Sequence, residues 1–247
     1  PVSMFGTDGF AKLQELSTGA FDHLWVASFA NRPSQLFEGA QKRLTIFIAR
    51  NASGVDVKLW TTKYLRWLKD ERDDLFPSQL EYDRRESPFK FMSHSLEKIG
   101  SRVESSAFEQ VSSSSDRLES SLVNHSDYQL FYTRKFGYFL SFLDFVPQIT
   151  NIKTGEVIPP SELKRFAFQT HRDLYVAIAV LSSSTFFWFW NTISDCRNLN
   201  RRDLISFPLN SATLDEQHAQ PLSLLANELL DSLQSSSRMM AKGNLKI

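Results

Sequence analysis

Leu44-Thr45-Ile46-Phe47-Ile48-Ala49 is the stretch on which the fold turns. It is continuous, β-branched and aromatic, the composition of a strand. Upstream, Phe21 to Ala30 carries Leu24, Trp25, Val26, Ala27 and Phe29 almost without interruption. That pattern suits a strand covered on both faces. Before it, Thr7 and Asp8 can cap a short helix that places Phe10, Leu13 and Leu16 on one side and ends at Gly19. After it, Asn51 to Gly54 reads as a turn and Val55 to Trp60 as another strand. Helix, strand, antiparallel strand is the order that closes the edge of an α/β domain.

Working further downstream, Thr62 to Phe76 reads as helical, with Lys69 to Asp74 on a solvated face and Pro77 as the stop. A second helix is expected over Phe89 to Val111. Ser101 to Ser126 is rich in serine and reads as a linker or as a loop between two compact parts. The aromatic run Tyr128 to Phe145 suits two strands with a turn near Gly137. Lys153-Thr154-Gly155-Glu156 is a hairpin signal between Ile149–Ile152 and Val157–Ile158, and Arg165 to Gln169 follows as a strand. Arg172 to Thr192 reads as one long apolar helix, and Asn200-Arg201-Arg202-Asp203 as a cap and first turn. Leu214 to Met240 reads as a final amphipathic helix containing Pro221. This divides the chain into residues 1–84, a helix and serine-rich linker over 85–126, and a mixed α+β part over 127–247.

Composition excludes several classes. Lys+Arg and Asp+Glu number 28 each, so the chain is neither a uniformly basic nucleic-acid binder nor an acidic tail. A single cysteine, Cys196, excludes a disulfide framework and a paired-cysteine zinc site, and suits a cytoplasmic protein. The five histidines show no metal-ligand spacing, so no metal is expected. No stretch of about 18 apolar residues occurs, so no membrane partner is expected.

Two constellations carry chemistry. In Asn31 to Ile48, Phe37 sits in a polar loop ahead of a strand, either as a core plug or as a ring presented to a ligand. In Phe186 to Leu209, an aromatic helix end runs into a loop with Arg197, Asn198, Asn200, Arg201 and Arg202. Arginine and asparagine read guanine and adenine edges or clamp phosphates. The alternative is a core of aromatics flanked by solvated arginines. Arg134 and Lys135 form a second basic pair.

Both segments resemble a known family. Asn31-Arg32-Pro33-Ser34-Gln35-Leu36-Phe37-Glu38-Gly39 with Arg43 to Ile48 is similar to the last conserved block of gamma-class N6-adenine DNA methyltransferases of restriction–modification systems. Thr61 to Tyr64 and Glu71 to Phe76 fit the same pattern, and Phe186 to Leu209 resembles the target-recognition region of such enzymes and of type I restriction specificity subunits. The resemblance implies the terminal strands and helices of a Rossmann-like methyltransferase fold (α/β) over residues 1–84, and a mixed α+β DNA-recognition domain over 127–247. It implies S-adenosylmethionine as the whole enzyme's cofactor and double-stranded DNA as partner. It makes Phe37 the ring that stacks on a flipped adenine. Arg197, Asn198, Asn200, Arg201 and Arg202, with Arg134 and Lys135, become the expected DNA contacts.

The departures are as specific as the matches. The family's glycine-rich cofactor loop is absent; Gly6-Thr7-Asp8-Gly9 has neither its spacing nor a preceding strand. No Asn-Pro dipeptide occurs, so the Asn/Asp-Pro-Pro-Tyr/Phe motif is absent too, and Pro159-Pro160 lacks its flanking residues. The expectation is therefore a DNA-recognition part, inactive alone, whose catalytic half is a missing N-terminal portion or a separate subunit. A chain that completes a catalytic partner, or an α+β interaction module without nucleic acid, are the alternatives.

Overall fold

The nearly unbroken apolar run at Val26 becomes β1 (His23–Phe29), a central strand whose last four residues are all buried. In this computed structural model the described residues are 1–51, 57–86, 89–135, 139–158, 160, 162–237, 241–242 and 245–246. The turn expected at Asn51–Gly54, the turn at Gly137 and the end at Met240 lie wholly or partly outside them. The chain divides into two units, Pro1–Ser115 with Trp188–Asn198, and Asp116–Phe187 with Leu199–Ile247. The fold is mixed α and β.

In the first unit, β2 (Leu44–Arg50) pairs antiparallel with β1, from His23 opposite Arg50 to Phe29 opposite Leu44. On the other side β1 pairs parallel with β3 (Lys58–Leu65), and β3 pairs antiparallel with β4 (Asp83–Arg85). The sheet order is β2-β1-β3-β4, with β2 at an edge. One face packs Ala27, Phe29, Leu36, Leu65, Trp67 and Leu75; the other packs Phe5, Leu24, Val26, Leu59 and Leu96.

Two expectations for this unit fail. Thr62 to Phe76 is not a helix: its first residues complete β3, and only a short 3-10 turn forms at Lys69–Glu71. Pairing with β1 satisfies the strand's backbone, and its β-branched threonines suit that geometry. The helix expected from Phe89 begins only at Arg102; α2 (Arg102–Ser112) is capped by Ser101, whose side chain accepts from the Glu104 N–H. Residues 95–100 before it are buried and non-helical. Gly100 fits there because a Cβ would lie 2.6 Å from the Lys63 backbone nitrogen. The short helix expected near the start forms as α1 (Ala11–Ala20), and its Leu13 and Leu16, with Phe10 just before it, face solvent. Its buried residues are Gln14 and Ser17. The Gln14 amide donates to the carbonyls of Met4, Thr7 and His94, which is what turns that side inward.

In the second unit, β5 (Leu122–Val123), β6 (Gln129–Thr133), β7 (Phe142–Leu143) and β10 (Leu163–Phe168) form a sheet of order β5-β10-β6-β7. The expected hairpin is present as β8 (Ile149–Asn151) and β9 (Val157–Ile158), with Gly155 at φ 71° in its turn. β11 (Ala241–Lys242) and β12 (Leu245–Lys246) extend that sheet. The single apolar helix expected over Arg172–Thr192 is two, α3 (His171–Leu181) and α4 (Ser184–Ile193). They part at Ser182 and Ser183, where the Ser183 hydroxyl bonds the Val180 carbonyl and accepts from the Phe186 N–H. Among the described residues no single helix is long and apolar enough to cross a membrane. α5 (Arg201–Ile205) and α6 (Glu216–Ser236, containing Pro221) complete the unit, and α6 packs on α3.

Candidate nucleic-acid interface

The loop between β1 and β2 is built to present Phe37. Asn31 donates to the Gln41 carbonyl at 3.3 Å and closes the base of the loop. Leu36 is buried against Phe29 and Trp67, while the Arg72 guanidinium donates to the Gln35 and Leu36 carbonyls at 3.3 and 2.6 Å. With Leu36 as the plug, Phe37 is turned out and is 57% exposed. Gly39, at φ 74°, takes the left-handed conformation that reverses the chain behind it.

Where this loop returns to β2, a pocket of about 340 Å3 opens in the first unit. Gln41, Lys42 and Arg43 line one side, and Asp195, Arg197 and Asn198 another. The Asp195 carboxylate shapes the second side. Its Oδ1 accepts from the Arg197 N–H at 2.8 Å and the Asn198 N–H at 2.9 Å, and its Oδ2 accepts from the Asn198 amide at 3.2 Å. Asp195 itself is buried, so its charge is spent on the turn while Arg197 stays exposed. On the opposite wall Arg43 hydrogen-bonds Tyr64, whose hydroxyl is pushed upward chiefly by burial. Lys42 is exposed. The pocket thus joins residues from both constellations found in the sequence, and its cations outnumber its one acid.

Cys196 lies between Asp195 and Arg197 at φ 56°, fully buried, with its thiol pushed up to about 11 by burial. A neutral, enclosed thiol is a packing element rather than a nucleophile.

The remaining expected contacts fall in the second unit. Asn200 is the N-cap of α5, and its N–H donates to Asp203 Oδ2 at 3.1 Å. The Arg202 guanidinium lies 3.5 Å from Asp203 and is three-quarters covered. Arg201 is exposed and lies over the Phe166 ring at 4.8 Å. Arg134 and Lys135 are exposed beyond the end of β6, and Lys135 pairs with Glu162 at 2.9 Å. Arg197 and Asn198 therefore belong to one unit, and Asn200, Arg201, Arg202, Arg134 and Lys135 to the other. Lys42 and Arg43 escaped the sequence reading of the site, although the basic doublet ahead of the clearest strand was their signal.

The aromatic residues of α4 are core: Phe186, Phe189 and Trp190 are fully buried. Gly6, the first glycine of the superficially cofactor-like loop, has the Ser194 carbonyl 3.0 Å from the position of a Cβ. It makes room for the chain's own backbone, and the loop leads into a 3-10 turn and α1 rather than out of a strand. The described residues do not fit S-adenosylmethionine at this loop. Compared with known protein families, curated proteins and solved structures, the chain matches none.

Proposed function

We propose that the chain is the DNA target-recognition part of an N6-adenine DNA methyltransferase of a type II restriction–modification system, with methyl transfer performed elsewhere in the enzyme. The observation that supports this reading best is the pocket that places Lys42 and Arg43 beside Arg197 and Asn198, on the loop that also presents Phe37. In this reading Lys42 and Arg197 neutralise phosphates and hold the duplex in register. Asn198, oriented by Asp195, offers an amide to a base edge. Phe37 stacks on an extruded adenine, offsetting part of the few kcal/mol that unstacking costs. The strands that frame the loop correspond to the terminal strands of a Rossmann-like methyltransferase domain. The second unit corresponds to the recognition domain.

Reversing two charges tests it. Lys42→Glu with Arg197→Glu is expected to weaken binding of a duplex oligonucleotide at least tenfold at low salt. The slope of log affinity against log salt should flatten by about 2, near 0.9 per lost phosphate contact. An affinity and slope equal to those of the unmodified protein would overturn the reading. The interaction-module alternative would then stand, with the outward Phe10 at the start of α1 and Leu13 and Leu16 within it as its surface.

A further inference from the structure

The second unit contains its own cleft, of about 570 Å3, at a place where its sheet is left unfinished. β5 ends at Val123, opposite Ala167 of β10. The chain then arches over β10 through residues 124–128 and returns as β6 on the other side, with Gln129 also opposite Ala167. Among the described residues, the part of β10 before Ala167 has no strand partner on the β5 edge. The cleft lies there, lined among others by His125, Asp127, Gln129, Arg165 and Arg201.

Both of its arginines are set before any ligand arrives. Arg165 Nη1 donates to Gln129 Oε1 at 3.3 Å, and Gln129 Nε2 donates to the Ser126 carbonyl at 3.0 Å. Gln129 thus uses both ends of its amide to steady one guanidinium. Arg201 is steadied differently: its guanidinium lies 4.8 Å over the buried Phe166 ring, which is itself stacked on Tyr132 at 5.4 Å. A guanidinium held over a ring by its charge still has N–H donors for other acceptors. Asp203, the acid nearest Arg201 in sequence, is directed into the start of α5, where the Asn200 N–H and Arg202 hold it. Asp127 is the one carboxylate among the lining residues. Two guanidiniums fixed on one cleft, each with N–H donors in a planar fork, suit a ligand with several closely spaced anionic oxygens.

We propose that this cleft binds a phosphoryl group, with Arg165 and Arg201 as its donors and Gln129 as the residue that positions Arg165. Either a phosphodiester of the DNA backbone or a free phosphate-bearing nucleotide supplies that chemistry. The DNA source rests on the function proposed above; the cleft itself does not.

The test uses the full chain with three probes: inorganic phosphate, deoxyadenosine monophosphate and a duplex oligonucleotide. Arginine side-chain NMR signals of Arg165 and Arg201 report occupancy, and anisotropy gives duplex affinity across salt. The expected result is a saturable shift of both signals that vanishes in Arg165→Ala/Arg201→Ala. For a backbone phosphate the same variant lowers the salt slope by about 0.9, with equal loss on unrelated sequences. Arg165→Lys, which keeps the charge but not the fork, and Gln129→Leu, which frees the guanidinium, should each weaken binding several-fold while the melting temperature is held. Shifts with phosphate or the mononucleotide but no duplex binding would support the cleft with a free ligand and defeat the DNA reading. Duplex binding that is identical in the double variant, with no shift from any probe, would overturn the cleft and leave the DNA reading intact.

Discussion

Two aromatic regions of this chain have opposite fates. Phe186-Phe187-Trp188-Phe189-Trp190 is the densest aromatic run in the sequence, and its Phe186, Phe189 and Trp190 are completely buried. Phe186 packs edge-on against Phe142 and Phe207 in the second unit. Phe189 meets Phe91 and Phe108 in the first. Phe37 is the lone ring in its loop and is more than half exposed, because Leu36 beside it fills the core position. Density of aromatic residues marks packing, whereas a single ring beside a better plug marks presentation. The two regions differ in what removing a ring should do.

The largest expected effect comes from the packed ring. Phe189→Ala deletes a side chain with no exposure, 5.3 Å from Phe91 and 5.9 Å from Phe108. Large-to-small substitutions of this kind cost about 3–5 kcal/mol through lost burial and the cavity left behind. Urea denaturation should register that loss of stability. A loss below about 1 kcal/mol would show that the site collapses freely, and would remove the contrast with Phe37.

What the sequence made legible follows from locality. β1 and β2 were readable because their apolar runs are continuous, and the hairpin at Lys153–Glu156 because its turn residues are diagnostic. α5 was readable from its cap and first turn. What was not legible depends on distant partners. The strand over Thr62–Leu65 needs β1 to pair with, and the dense charge after it imitates a solvated helix face. α1 displays an apolar side outward because Gln14 answers carbonyls that include His94, eighty residues away. The start of α2 is legible in its capping pattern: Ser101 and Glu104 have capping-box spacing, and Glu104 accepts from the Gly100 N–H. Sequence proximity also does not show the partition that falls between Asn198 and Leu199 and divides the expected contacts between two units.

A smaller effect should follow at the turn that sets Arg197. Asp195→Ala removes the acceptor of two backbone N–H bonds, at 2.8 and 2.9 Å. Hydrogen bonds to a charged group contribute roughly 1.5–3 kcal/mol when buried, so a destabilisation of about 2 kcal/mol is expected. Under the proposed function, duplex affinity should fall with it, because Arg197 and Asn198 lose their orientation. Loss of affinity at unchanged stability would instead place the carboxylate in contact with the ligand, and unchanged affinity would detach this turn from binding.

The smallest effect on folding is expected at Phe37, and it separates presentation from packing most directly. Phe37→Ala removes a ring whose core position is already held by Leu36, so stability should change by no more than about 0.5 kcal/mol. If the ring stacks on an extruded base, the same change should weaken duplex binding by about tenfold, near 1.4 kcal/mol and within the 1–3 kcal/mol typical of base–aromatic stacking. Phe37→Trp should restore that affinity, and Phe37→Leu, similar in size but without a π face, should not. A duplex with an abasic site opposite the adenine lowers the cost of extrusion, so it should bind the unmodified protein more tightly than the matched duplex. Phe37→Ala should shrink that preference, because the base then leaves the stack without a ring to receive it. A stability loss of about 2 kcal/mol or more, with both duplexes affected equally, would return Phe37 to packing and erase the difference between the two aromatic regions.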